Sequence, residues 1–391
     1  MINQESIDAV LSSRFKGDLI KPLYETFCFS QIPNSISSLL FGSKQSKGLP
    51  TCCFGEAHSK YDTVILLFLD AFGWKFFTRF QDHPFCQRFF SNGVVSKLTA
   101  QFPSTTSAQV TTISTGLEVG QTGIYEWYHY EPKVQKMIAP LLFSFAGDKV
   151  SESLLSAGID PRELFPFETL YQKLHIEGVR SHVFQQVSLC SSPYSQAMCR
   201  EAHIHSYYTF SQALQSLIEL IKDKRSEKTY AFLYFPNIDS TGHRKGVDSP
   251  EMNREIKEVL DLLEHTFMQQ VSSQNGQIAF MVTADHGMTQ VNPRQTVYIN
   301  QELKELESWV KKDIEGKALA PAGSCRDLFL HIEQKHLMQA KEQLAKKLSG
   351  VAEVYLTSDL IQEGLFGQHV TRRFLDRIAD LVILPGPDQS V

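Results

Sequence analysis

The sequence predicts an α/β fold with a mostly parallel central sheet and helices on both faces, and three observations predict it. The apolar runs Tyr61 to Leu69, Thr229 to Pro236 and Gln277 to Ala284 are continuous rather than alternating, as strands buried on both faces are. Segments of helical periodicity lie between the runs. Each run gives way at once to a short segment carrying a carboxylate, at the strand end where open α/β sheets place their ligands.

The first run, YDTVILLFL, ends on Asp70, followed by the small, flexible Ala71-Phe72-Gly73. Next comes Phe102-Pro103-Ser104-Thr105-Thr106-Ser107-Ala108-Gln109, which reads as a helix start. Pro103 fixes the entry, Val110, Ile113 and Leu117 fall at helical spacing, and Gly116 closes the helix. A hydroxyl at this start has two readings. It caps first-turn N–H groups, or it sits reactive in the positive end of the helix dipole, which favours an alkoxide and attracts phosphate. The interval from 131 to 206 then reads as a cap-type insertion that shapes specificity.

The run TYAFLYFP leads into Asn237-Ile238-Asp239-Ser240-Thr241-Gly242-His243. An acid and an imidazole four apart suit one metal either as a helical turn or as a loop folded back at Gly242. A helix follows, with Asp248 or Ser249 as its cap and Pro250 and Glu251 in its first turn. The run QIAFMVTA stops on Asp285 and His286. The last unit, 322 to 384, reads as a strand (AGSCRDLFLHI), an amphipathic helix ending at Gly350 and a closing strand (RIADLVILP).

The strand ends together supply Asp70, Asp239, His243, Asp285 and His286, ligands that Zn²⁺ or Mn²⁺ accepts. Three carboxylates gathered at one sheet edge repel one another unless cations sit between them. Helix capping accounts for the acids but leaves the histidines unexplained. Two divalent ions also suit an anionic substrate in a chain whose net charge is −5. Because these groups spread from Asp70 to His286, no cut between them leaves a working site. One domain from 61 to 391, with a lead-in at 1–60 packed on it, is therefore expected. At 391 residues and 42% hydrophobic content, the chain can bury a large core.

Seven cysteines, Cys52 and Cys53 among them adjacent, do not form a disulfide or zinc-ribbon framework. No stretch has the length of a membrane span, and the N-terminus lacks a basic start with a long apolar core, so a cytoplasmic location is expected. The absence of basic tracts argues against a nucleic-acid scaffold but leaves a nucleotide as substrate. Oligomeric state is not encoded legibly.

The ordered set LFLDAFG, FPSTTSAQVTTISTGL followed by GIYEW, NIDSTGH and TADHGM resembles the type I phosphodiesterase/nucleotide pyrophosphatase branch of the alkaline phosphatase superfamily. PLYETFCFSQIPNSISSLLFG is similar to the lead-in of bacterial members. The resemblance implies an alkaline phosphatase-like core and two ions, usually zinc. It implies that Thr106, not Thr105, is the nucleophile. Asp70, Asp285 and His286 would share one ion with the Thr106 oxygen, and Asp239 with His243 would hold the other. The reaction it implies is in-line attack of Thr106 on a small phosphodiester or nucleotide, through a phosphothreonine that is then hydrolysed.

Some positions depart from the pattern. The resemblance implies a further histidine for the Asp239 and His243 ion, in a His-Gly segment after RIADLVILP. Gly386 to Val391 contain none. Either that ligand lies beyond Val391 or another residue substitutes, His369 being the nearest upstream imidazole. Where some branches carry a phosphate-binding asparagine, this chain has Glu126-Trp127, and Trp127 or Tyr128 would line the cleft or the core. Arg326 is a loop arginine that would reach phosphate or stay solvated. No arginine follows Thr106, which gives no support to the alternative of a phosphomonoesterase. A sulfatase is set aside because FPSTTSA lacks the Cys/Ser-x-Pro-x-Arg segment. The rival of another class is a binding protein that keeps the fold after losing one ion.

Overall fold

Six consecutive apolar residues, Val64 to Leu69, are each at most 1% exposed, and this strand lies inside the main sheet. We describe it from a computed structural model covering residues 1–42, 48–55, 60–223, 227–271 and 277–391. Five parallel strands form the main sheet: β1 (Thr63–Leu69), β2 (Arg180–Gln186), β3 (Ala202–Tyr207), β4 (Thr229–Phe235) and β5 (Ile278–Thr283), in the order β5-β1-β4-β2-β3.

The pleat divides β1 between two cores. Ile65, Leu67 and Leu69 meet Phe76, Phe85, Leu214, Leu217, Ile256 and Phe267 on one face. Val64, Leu66 and Phe68 meet Ile32, Ile36, Ile113 and Leu174 on the other. Helices therefore cover both faces, which is why the strand reads as an unbroken apolar run. The lead-in contributes the helix Ile32–Phe41 to the second layer, and its residues 43–47 and 56–59 lie outside the described part.

Three helices carry or flank the site. In α1 (Thr106–Thr115), the chain turns out at Gly116, whose φ of 73° is the left-handed conformation that closes a helix. Asp239 and His243 lie on α2 (Asn237–Lys245), so of the two conformations open to that segment the helical turn is adopted. The start of α3 (Pro250–Leu262) is capped by Ser249, whose side chain accepts from Met252 N–H.

The interval 131–206, expected as one insertion, is divided. Arg180–Gln186 and Ala202–Tyr207 are β2 and β3 of the central sheet. Their sequences, RSHVFQQ and AHIHSY, hid this because β3 is the edge strand and polar residues interrupt the apolar pattern in both. What stands apart is the antiparallel sheet of His129–Glu131, Lys136–Ala139 and Ser144–Phe145, with the short helices after it, built round Ile138, Phe143, Leu154 and Phe165.

The C-terminal unit is a four-stranded antiparallel sheet of β6 (Ala322–Ser324), β7 (Asp327–Leu330), β8 (Ala352–Leu356) and β9 (Leu381–Pro385), ordered β6-β7-β9-β8. The helix Leu337–Lys347 buries Ala340 and Leu344 against it. AGSCRDLFLHI, expected as one strand, is a tight hairpin broken at Cys325-Arg326. All seven cysteines are free thiols. Among the described residues, no helix is long and apolar enough to cross a membrane.

Candidate active site

β5, β1 and β4 are neighbours in parallel register, with Thr283 opposite Phe68 and Phe68 opposite Tyr234, so their C-terminal ends open onto one edge. The ladder carries on one step beyond the strands, where Asp70 N–H donates to Phe235 O at 3.0 Å. That register brings Asp70, Asp285 and His286 together. One ligand atom from each lies within 4.8 Å of the others.

Asp70 and Asp285 are 2% and 1% exposed. Asp285 Oδ1 accepts from Ala71 N–H at 3.0 Å and from His286 N–H at 2.9 Å. Its other oxygen, Oδ2, is buried without a hydrogen-bond partner and lies 3.4 Å from His286 Nε2. Ala71 reaches Asp285 from a left-handed backbone (φ 63°), a conformation rare outside glycine and characteristic of constrained sites. Close approach of the two loops depends on Gly73, where a Cβ would sit 2.6 Å from Gly287 Cα.

His286 Nδ1 lies 2.9 Å from Gly287 O, an acceptor only, so Nδ1 donates there and Nε2 is the nitrogen turned toward the carboxylates. Nε2 is 3.6 Å from Asp70 Oδ1. Thr106, the first residue of α1, places Oγ1 3.1 Å from His286 Nε2 and 3.5 Å from Asp70 Oδ1. Thr105 is the N-cap residue and makes no side-chain capping bond.

A divalent cation fits this group. Two carboxylates and an imidazole are a donor set for zinc or manganese, and the unpartnered Asp285 Oδ2 is the buried atom a cation would satisfy. Burial, then the charges of Asp285 and Asp239, push the Asp70 carboxyl well above the usual carboxylate range, a conflict that positive charge would reverse.

Asp239 and His243 form a separate pair, with His243 Nε2 3.3 Å from Asp239 Oδ1. The Asp239 carboxylate beside it holds the imidazole above its ordinary pKa. Among the described residues, no third His, Cys, Asp or Glu joins this pair within ligand reach. His369 does not supply it, because it lies beside Glu118 and against Gly120.

Other candidates face elsewhere. Arg326 Nη1 donates to the carbonyl oxygens of Gly386, at 2.8 Å, and Gln389, so it braces the C-terminal segment. Glu126 is 4% exposed, accepts from Trp127 N–H at 2.8 Å and faces Asp327, and burial raises both carboxyls. Tyr128 packs against the core of the C-terminal unit. Sequence reasoning passed over Tyr234, whose hydroxyl donates to Asp70 Oδ2 at 2.5 Å. The available signal was a tyrosine just before the end of a ligand-bearing strand.

Comparison with known proteins places the chain in a family. The family model for type I phosphodiesterase / nucleotide pyrophosphatase matches residues 64–391. The chain belongs to that family. It is thereby a phosphodiesterase/nucleotide pyrophosphatase, a hydrolase of a metal-dependent family. Among solved structures, human ectonucleotide pyrophosphatase/phosphodiesterase 5 is similar at 18% identity and TM-score 0.60, over 84% of this chain and 79% of that one. The murine counterpart matches at 18% identity and TM-score 0.59 with the same coverage. A murine structure described as inactive, carrying a threonine-to-alanine substitution and bound to AMP, matches at 17% identity, TM-score 0.59 and the same coverage. These likenesses establish the shared fold. No curated protein sequence matches the chain.

Proposed function

We propose that this family member cleaves phosphodiester or nucleotide pyrophosphate bonds of small substrates, with Thr106 as nucleophile. Asp70, Asp285 and His286 would hold one divalent cation, and Asp239 with His243 a second, zinc in both cases. The observation that carries this reading is the position of Thr106 Oγ1, at the start of α1 and within 3.5 Å of both Asp70 Oδ1 and His286 Nε2. The AMP-bound murine variant supports a nucleotide as the substrate class.

In this reading, the unpaired N–H groups opening α1 stabilise negative charge on the Thr106 oxygen and on the phosphate it meets. The Thr106 hydroxyl passes its proton to water, and its oxygen bonds to phosphorus as the bond to the leaving group breaks in line, the departing alkoxide or phosphate taking up a proton from water in turn. Water then breaks the Thr106–phosphorus bond and restores the hydroxyl. The cations, when bound, offset the charge of the carboxylates and of the substrate phosphate.

A specific observation favours a second reading. Among the described residues no third ligand joins Asp239 and His243, which suits a chain that keeps one ion tightly and turns over slowly.

The test is hydrolysis of a chromogenic nucleotide phosphodiester by wild type and Thr106→Ala, with and without a chelator, together with a count of zinc per chain. Turnover that needs both Thr106 and metal supports the proposal. Equal turnover in all arms rejects it. Two tightly held ions favour the first reading, and one favours the second.

A further inference from the structure

We infer that Tyr234 is a positioning residue for the cation held by Asp70, its hydroxyl fixing which carboxylate oxygen faces the site. This rests on the reading of Asp70, Asp285 and His286 as metal ligands.

The geometry is specific. Asp70 Oδ2 accepts from Tyr234 Oη at 2.5 Å, while Oδ1 turns toward His286 Nε2 and Thr106 Oγ1. A hydroxyl donating to a carboxylate at this length makes a strong, charge-assisted bond. It stops the carboxylate rotating about its Cβ–Cγ bond and leaves Oδ1 as the oxygen offered to the cation. Ligand carboxylates are commonly held in this manner by a second hydrogen-bonded group.

Tyr234 is itself fixed from three directions. It occupies the β4 position in register with Phe68 of β1, two residues before Asp70. Its ring meets the Phe68 edge at 5.4 Å between centroids. Its carbonyl accepts from Tyr207 Oη at 2.6 Å, which ties the end of β4 to β3. The hydroxyl therefore reaches Asp70 from a rigid platform.

Tyr234→Phe removes the O–H and keeps the ring, and so tests the role without opening the core. Tyr230→Phe is the matched control, since Tyr230 is buried on the same strand and its hydroxyl has no hydrogen-bond partner. Both substitutions are placed in full-length protein carrying His243→Ala, so that zinc taken up reports the Asp70, Asp285 and His286 group. Zinc affinity is then measured by competition with a chromogenic chelator, and folding by circular dichroism.

Tyr234→Phe is expected to lower zinc affinity by about 10- to 100-fold with an unchanged fold, and Tyr230→Phe to leave it unchanged. In the otherwise wild-type chain, excess zinc should restore turnover to Tyr234→Phe. Zinc affinity of Tyr234→Phe within about twofold of its parent overturns this inference alone. If the His243→Ala parent takes up no zinc, the reading beneath it fails first.

Discussion

Gly73 and Gly287 approach so closely that a methyl group on Gly73 would lie 2.6 Å from Gly287 Cα and 3.0 Å from His286 O. These are backbone atoms, which cannot swing aside as a side chain would. The contact sets how near the loop after Asp70 lies to the loop bearing Asp285 and His286. Gly73→Ala should therefore part the ligands while leaving both apolar cores intact. We expect a loss of about 1–3 kcal/mol in stability, typical of overpacking, and a far larger loss in zinc affinity and turnover. Thermal denaturation beside chelator competition separates the two effects.

Thr106 and Thr105 are adjacent hydroxyls with unequal surroundings. Only Thr106 Oγ1 is directed at His286 and Asp70. Thr106→Ala should lower kcat by on the order of 10³-fold or more, as loss of a covalent nucleophile does. Thr106→Ser should keep a measurable part of the rate, because the oxygen is retained. Thr105→Ala should stay close to wild type. Steady-state kinetics on one chromogenic diester decide all three.

The sequence made the site legible where chemistry and secondary structure coincide. Asp70 and Asp285 stand where long apolar runs break, and Asp239 with His243 repeats at one helical turn, so strand ends and ligand spacing could be read together. Tyr234 was hidden because a tyrosine in an apolar run reads as core packing. Its role depends on register with Phe68, which one-dimensional pattern does not contain. β2 and β3 were missed for a different reason: histidines and glutamines interrupt RSHVFQQ and AHIHSY. Arg326 and Glu126 show the converse, polar residues that look available in sequence and are satisfied internally in the fold.

Arg377 Nε and Nη2 both donate to Glu131 Oε2, at 2.9 and 2.6 Å, and the two residues are 2% and 3% exposed. The pair ties the helix Arg372–Arg377 to the small antiparallel sheet, and Arg377 also donates to Thr122 O and Gly123 O, each at 3.4 Å. Removing one member strands a buried charge. Arg377→Met is expected to cost about 3–5 kcal/mol, whereas Arg377→Met with Glu131→Leu should recover much of that loss. Urea denaturation of the single and double variants measures the difference.

His331 and His129 give the fold an acid limit that has nothing to do with the metal group. Both are nearly buried, His331 Nε2 and both ring nitrogens of His129 have no hydrogen-bond partner, and burial pushes His331 down to about 3 and His129 well below its ordinary value. In the unfolded chain these imidazoles take up protons near pH 6.5, and in the folded chain they do not. The unfolded state therefore binds more protons throughout the interval between the two values. The stability these histidines contribute is full above pH 6.5 and is lost as pH drops toward about 3, with each histidine adding a slope of up to about 1.4 kcal/mol per pH unit. His331→Leu should flatten that slope by about one proton in denaturation curves taken from pH 7 down to pH 4. A slope unchanged by the substitution would show that His331 is charged in the folded protein.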